Sequence, residues 1–400
     1  MKFNKWTLGL AAVGAVSLVS VAQAEEKASS VMTALSSTTL SGYVDTSAQW
    51  NFGTGNANNP KYAFNTPNKA DGFNLNVVKL TLQKDADASD GWGSGYKVDL
   101  LFGPDANIVG GLGTQSTGTS SDFAVKQAYV DLKAPLGNGL DIKIGVFDTI
   151  IGYEVFEAGN NPNFTRSYGY TIEPTTHTGV LASYQFTDII GASVGVANTF
   201  GPTINGRALN TSGGQKESYK TYMGSVSLTA PKDWGFIAGS TLYAGIINGF
   251  NSASPAKGGA ADQTSFYVGS SLNTPITALK LGASYDYEAV AKQPLTGNTS
   301  GYANATALYA TFQATDKLSL NGRAEYFSQT PGNAVAGLPS KVFDFTLTAQ
   351  YDLWKNVISR VEFRWDHQAD GKPDEFGGTV AGTGNRRNAY ELIANVIYKF

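Results

Sequence analysis

The chain has 400 residues, no cysteine, 29 basic and 32 acidic side chains, and only 15% charged residues. So few charges fall below the roughly 25% of ordinary soluble domains, and a slightly acidic balance argues against a nucleic-acid partner. The missing cysteines exclude disulfides, thiolate metal sites and a cysteine nucleophile.

The chain opens with Lys2 and Lys5, an apolar run over residues 7–21, and Ala22-Gln23-Ala24. This reads as an export signal cut after Ala24. The run is roughly 15 residues, shorter than the ~20 a membrane-crossing helix needs. Removing residues 1–24 leaves 27 basic against 32 acidic side chains. Residues 25–38 read as a short periplasmic leader with helical character, and residues 39–400 as one barrel.

From Thr39 onward, apolar and polar residues alternate. Leu279, Leu281, Ala283, Tyr285 and Tyr287 alternate with Lys280, Gly282, Ser284, Asp286 and Glu288. Phe343, Phe345 and Leu347 alternate with Asp344, Thr346 and Thr348. A period of two is the signature of strands with one apolar and one polar face. No later apolar stretch could cross a bilayer as a helix, and the only other backbone that is satisfied in lipid is a closed barrel. The pattern therefore predicts an all-β fold, a transmembrane antiparallel β-barrel of about 16 strands. The strands fall near 39–52, 71–84, 93–104, 121–134, 139–150, 174–187, 189–200 and 218–230 in the first half. In the second half they fall near 235–250, 262–274, 277–289, 301–315, 317–329, 341–353, 356–369 and 386–400.

The connections alternate in length. Tight turns such as Pro135-Leu136-Gly137-Asn138, Thr315-Asp316-Lys317 and Trp354-Lys355-Asn356 face long loops such as 53–70, 151–173 and 370–385. Short periplasmic turns and long outer loops are the asymmetry of an outer-membrane barrel. Aromatic residues at strand ends, namely Trp50, Phe52, Tyr153, Trp234, Trp354 and Phe400, read as interfacial girdles. Tyr43, Tyr129 and Phe147 fall on the polar face, where an aromatic slide for sugars would run.

Several stretches resemble the OmpL-like β-barrel porin family. They are Leu40-Ser41-Gly42-Tyr43-Val44-Asp45-Thr46, Ala134-Pro135-Leu136-Gly137-Asn138-Gly139-Leu140-Asp141, Ile151-Gly152-Tyr153-Glu154, Asn163-Phe164-Thr165-Arg166-Ser167-Tyr168 and Glu173-Pro174-Thr175-Thr176-His177-Thr178-Gly179. The resemblance implies a pore in the bacterial outer membrane, surrounded by its lipid, that passes small hydrophilic solutes and ions. The final strand, ending in Phe400, resembles the C-terminal strand such barrels present to the barrel assembly machinery. Analogy with other 16-strand porins implies a homotrimer.

Around 16 strands, wall side chains cannot fill the interior, so an aqueous channel is expected. Arg323 and Glu325, with Arg360, Glu362, Arg364 and Asp366, are the expected pore-lining residues. They fit either a transverse field in the pore or an ion-pair ladder that stiffens the wall. The longest loop, 151–173, carries Glu154, Glu157, Arg166 and Glu173 and is the expected constriction. The acidic excess predicts a weak cation preference governed by Glu154 and Glu157. No catalytic residues, cofactor or metal ligands are expected: His177 and His367 are the only histidines, and Asp366 beside His367 points to the opposite strand face. Two other functions fit the same pattern: a channel with a binding site for one solute class, and a surface receptor or adhesin working through its outer loops. A barrel nearer eight strands would favour the receptor, because small barrels are filled by side chains.

Overall fold

The computed structural model describes residues 31–32, 37–53, 55–87, 91–109, 122–208, 218–251, 261–291, 300–330, 339–371 and 374–400. The export signal of residues 1–24 lies outside them, as does most of the leader and of several long loops. A two-residue strand, β1 (Val31–Met32), pairs with Leu40 and Thr39, so this part of the leader is extended and not helical.

Among the described residues, sixteen longer strands follow. The first eight are β2 (Thr39–Asn51), β3 (Gly72–Lys84), β4 (Gly93–Phe102), β5 (Phe123–Ala134), β6 (Leu140–Asp148), β7 (Thr176–Gln185), β8 (Ile190–Ala197) and β9 (Thr221–Thr229). The second eight are β10 (Thr241–Phe250), β11 (Asp262–Asn273), β12 (Leu279–Val290), β13 (Gly301–Gln313), β14 (Leu318–Gln329), β15 (Lys341–Trp354), β16 (Val357–Gln368) and β17 (Asn388–Lys399). Each pairs antiparallel with the next, and β17 pairs back onto β2 from Glu391↔Asn51 to Lys399↔Tyr43. The sheet therefore closes and leaves no free edge, which satisfies every ladder without water. The expected strand count and order hold. The largest boundary error is at β10, expected from residue 235. Gly235–Ile237 is a 3-10 turn instead, and pairing begins at Thr241.

The alternation is that of an inside-out protein. Leu347 and Val361 are 49% and 55% exposed on the outer face, while Thr346, Thr348 and Glu362 on the inner face are buried. Tight turns close one end. In the β15–β16 turn Asn356 takes a left-handed φ of 70°, a conformation asparagine tolerates better than most residues, and Thr315 Oγ1 accepts the Leu318 amide at 3.0 Å. At the other end the loops are long, and the described parts of three of them turn inward.

Three register irregularities interrupt the ladders among the described residues; one leaves Leu353 unpaired beside the β15–β16 turn, and the other two lie deeper in the wall. Register slips between Asp45 and Thr46 leave Asn76 of β3 unpaired, and slips between Asp99 and Leu100 leave Lys126 of β5 unpaired. A bulge places two consecutive residues on one face, so Asn76 with Val77, and Lys126 with Gln127, are all buried inside.

Candidate functional site: a loop across the lumen

The connection from β6 to β7 leaves the wall at Thr149 and returns at Thr175, and its stem is closed by the Thr149 amide donating to the Thr175 carbonyl at 3.0 Å. Between these points the chain crosses the barrel interior. Its first limb is seated by apolar contact: Ile150, Ile151 and Tyr153 pack with Phe147, Leu181, Met223, Tyr243, Ile247, Tyr267 and Tyr309. Two wall glycines make room. A Cβ on Gly245 would come within 2.7 Å of Ile151, and one on Gly282 within 1.9 Å of the Tyr153 hydroxyl. Tyr153 stacks on Tyr309 with ring centroids 4.0 Å apart and is only 3% exposed, so it is not a girdle residue. Trp50, Phe52, Trp234 and Trp354 do project outward. Tyr43, Tyr129 and Phe147 face inward, but Tyr43 and Phe147 are buried in the packing around the loops and Tyr129 lies against it.

The rest of the loop is held by charge. Glu154 accepts from Arg323 Nη1 at 2.9 Å and from the Ser167 amide at 2.7 Å. Arg323 reaches on to Asp344 at 2.8 Å and donates to the Thr165 carbonyl at 2.7 Å. Arg360 donates to the carbonyls of Ala158 and Asn161 at 2.7 and 3.0 Å. Glu362 accepts the amides of Phe164 and Thr165 at 2.5 and 2.9 Å. Arg364 donates to the Arg166 carbonyl at 2.7 Å and pairs with Asp366 at 2.8 Å. Glu325 accepts the amides of Tyr168 and Gly169, both at 2.8 Å. All six wall residues singled out from the sequence therefore meet the loop or its ion-pair partners, and all six are buried beneath it. Charge-assisted bonds of this kind are the stronger hydrogen bonds of a protein.

Glu157 and Arg166 of the loop are also engaged. Glu157 pairs with Lys79 and, at 3.3 Å, with Lys126. Burial would push its carboxyl up, but the ammonium groups of Lys126 and Lys79 hold it well below the usual carboxylate range. The Arg166 guanidinium donates to the carbonyls of Val155, Phe164 and Phe156 and lies over the rings of Phe64 and Tyr170, 5.1 and 5.7 Å from their centroids. Glu173 is half-buried at the end of the loop and lines the same space as Lys126 and Glu154.

Described parts of two further loops lie beside this one. From the β2–β3 loop, Tyr62 donates to Glu391 at 2.6 Å and the Ala63 amide to Thr171 at 2.9 Å. Phe64 takes a φ of 73°, a strained conformation for a bulky residue. It is kept there by an edge contact with Phe156 at 5.3 Å and by Arg166 above its ring. Lys69 pairs with Asp105, tying this loop to the β4–β5 loop. Two small cavities lie between the loops. One is lined by Asp45, Gln49, Phe64 and Arg166 among others, the second by Lys126, Asp148, Glu154 and Glu173 among others. The inward turn of these two loops, and the part played by Lys126 and Tyr309, were not expected from the sequence.

The family described as "Putative beta-barrel porin-2, OmpL-like" matches residues 37–400. No curated protein matches the sequence. Solved structures share the fold at low identity. An anion-selective porin from Comamonas acidovorans is 14% identical, with a TM-score of 0.58 over 91% of this chain and 99% of that one. The outer membrane channel DcaP of Acinetobacter baumannii is also 14% identical, with a TM-score of 0.58 over 91% of this chain and 97% of that one. A trimer form of OmpT from Vibrio cholerae is 14% identical, with a TM-score of 0.54 over 91% of this chain and 99% of that one.

Proposed function

The chain belongs to the OmpL-like β-barrel porin family, and from that membership we propose that it is a bacterial outer-membrane channel for passive diffusion of small hydrophilic solutes and ions. The observation that carries the reading is the charged loop held across the lumen by Arg323, Glu325, Arg360, Glu362 and Arg364. It narrows the barrel at one level and gives the narrow level a polar lining, which is what sets passage in a pore. Export would be directed by residues 1–24, with cleavage after Ala24. Phe400 would be read by the assembly machinery, and the working unit would be a homotrimer in outer-membrane lipid.

The finer reading is a weak preference for cations. Among the described residues, Asp45, Glu325, Glu362 and Glu391 are held by neutral donors and have no cation at ion-pairing distance. Arg166, Arg360 and Lys399 are cations held by carbonyls alone or with an amide. Glu154 and Glu157 are each met by a cation, so they balance charge locally and the preference comes from the wall carboxylates. Charges in a wide vestibule are screened within about 8 Å at physiological salt, so the narrow level decides. Single-channel recording in planar bilayers tests both parts. Stable conductance with a cation-selective reversal potential is expected. No conductance from folded, heat-modifiable protein would refute the channel, and anion selectivity would refute the preference.

A further inference from the structure

On the outer face of a membrane barrel a polar side chain is costly except at headgroup level. Along β16 the outward residues are Val361, Phe363, Trp365 and His367, while Arg364, Asp366 and Gln368 are buried inside. His367 is the last of the outward row before the loop. It lies between Phe343 of β15 and Asn388 of β17, both also outward. Exposed Lys341 is the next outward residue of β15, one step nearer the loops. Among the described residues of β14 to β17, Lys341 and His367 are the basic side chains on this face, and no acidic side chain shares it.

The cluster is held in one arrangement. Trp365 Nε1 and His367 Nδ1 both donate to Asn388 Oδ1, each at 2.9 Å. An amide oxygen only accepts, so the imidazole carries a proton on Nδ1 and its Nε2 is turned away from that bond. The amide nitrogen of Asn388 keeps its two N–H donors, and Lys341 has no ion-pair partner among the described residues. The acids of the loop after β16 gather on the inner side. Asp370 accepts from Gln368 at 2.8 Å, the Glu375 amide donates to the same side chain at 3.0 Å, and Asp374 pairs with Arg387 at 3.1 Å. On the bilayer side of the cluster the face is aromatic. Phe343, Phe345, Phe363 and Tyr390 are exposed there, with the Phe343 and Trp365 ring centroids 6.3 Å apart.

We propose that Lys341, His367 and Asn388 form a site for the phosphate of a membrane lipid whose acyl chains lie along the aromatic face. The inference rests on the membrane placement proposed above and goes beyond passage of solutes. A girdle residue that only reaches for water needs no fixed partner. Here the Asn388 oxygen is spent on fixing Trp365 and His367, and what remains pointing outward is a set of donors: the Lys341 ammonium, the Asn388 amide N–H groups and, in the imidazolium form, His367 Nε2. A phosphate matches that set, since it offers several strong acceptor oxygens and its charge favours the imidazolium. Free phosphate would meet the same donors, but only a lipid also covers Phe343, Phe345 and Phe363, so the lipid is the occupant the whole surface fits.

The test is lipid retention by the full-length, refolded protein in detergent, read by native mass spectrometry. The probes are dimyristoyl phosphatidic acid and dimyristoylglycerol, which has the same chains and no phosphate. The wild type should bind the phosphatidic acid about tenfold more tightly, equivalent to about 1.4 kcal/mol. Asn388→Asp keeps the oxygen that holds Trp365 and His367 but replaces the N–H donors with a negative charge, and it should bring the ratio near one. The double variant Lys341→Gln with His367→Gln should do the same, whereas Lys280→Gln on the inner face of β12 should leave the ratio unchanged. Heat-modifiable mobility checks that each variant is folded, and the wild-type ratio stands by itself if one is not. Equal retention of the two lipids by the wild type overturns the site. So does a ratio that survives in either folded variant, which would place the lipid elsewhere, or full displacement of the lipid by inorganic phosphate, which would make the site one for a free anion. Failure of the protein to fold into lipid vesicles would instead refute the membrane placement.

Discussion

Replacing Arg323 with Met removes the centre of the loop's attachment while keeping a side chain of similar length. Arg323 is buried and makes bonds to Glu154, Asp344, Thr165 and Thr346. Breaking a buried ion pair by deleting one partner costs about 3–5 kcal/mol, mostly because the other charge is left unpaired. Here the low end applies. Asp344 keeps Arg364 at 3.2 Å, so only Glu154 is orphaned. A loss of about 3 kcal/mol shifts the balance between seated and unseated loop by roughly a hundredfold. The cost falls on loop seating and not on the barrel, whose sixteen ladders do not involve this side chain. Single-channel recording should therefore show larger or noisier conductance, while the temperature at which the protein shifts on unboiled gels should change little. Arg323→Lys, which keeps the charge but loses the fork, should fall between the two. Wild-type conductance and noise in Arg323→Met would refute the view that this network holds the constriction.

Leu347→Arg should cost about 2–4 kcal/mol of folding stability if the position lies near mid-bilayer; urea refolding into lipid vesicles measures it, and an undiminished stability would contradict the assigned outer face. Gly282→Ala should disturb the channel without unfolding it, because the new methyl falls 1.9 Å from the Tyr153 hydroxyl and must unstack Tyr153 from Tyr309. Altered gating noise with unchanged heat-modifiable mobility is the expected result. Glu157→Gln leaves Lys79 and Lys126 with only Asp99 and Asp148 as partners. It should move the reversal potential toward anions, more so at low salt, where screening lengths are longer. A pH effect through Glu157 should appear only in strong acid, because its carboxyl is held below the usual range and its ion pairs are lost only as pH falls through that lowered value.

The barrel was legible because one physical rule governs all of it. Each strand needs an apolar face for lipid and a polar face for the interior, and that requirement is written every second residue, as in Phe343 to Thr348. Strand number, order and the assignment of Leu347 and Val361 to the outside follow from it. The rule fails where pairing is irregular. Lys126 is one residue out of phase with Gln127 and Tyr129, so alternation assigns it to the lipid face. The bulge opposite Asp99 and Leu100 turns it inward, where it meets Glu157 and Asp148. Nothing in the sequence marks that slip except an otherwise costly lysine on the lipid side, and that cost was a usable signal.

The loop across the lumen was legible only in part, for a reason that also bears on how it is held. Length and charge identify the 151–173 loop, but whether a loop folds inward depends on partners far away in sequence. Arg360 reads as a pore-lining charge on alternation alone, yet its donors go to Ala158 and Asn161. Glu362 likewise spends its oxygens on the Phe164 and Thr165 amides and on the Thr348 hydroxyl. The charges of β16 pair with their neighbours, as Arg364 does with Asp344 and Asp366, and they also solvate the backbone of a loop that crosses the barrel. An irregular segment inside a barrel carries unpaired amides and carbonyls, and each costs free energy unless a partner meets it. Arginine and glutamate at every second position of one strand supply donors and acceptors at the spacing the loop requires. It follows that the wall charges and the loop backbone specify one another. Exchanging Glu362 for Gln should therefore loosen Phe164 and Thr165 more than it changes the lumen's charge, and a larger shift in conductance noise than in reversal potential would distinguish the two roles.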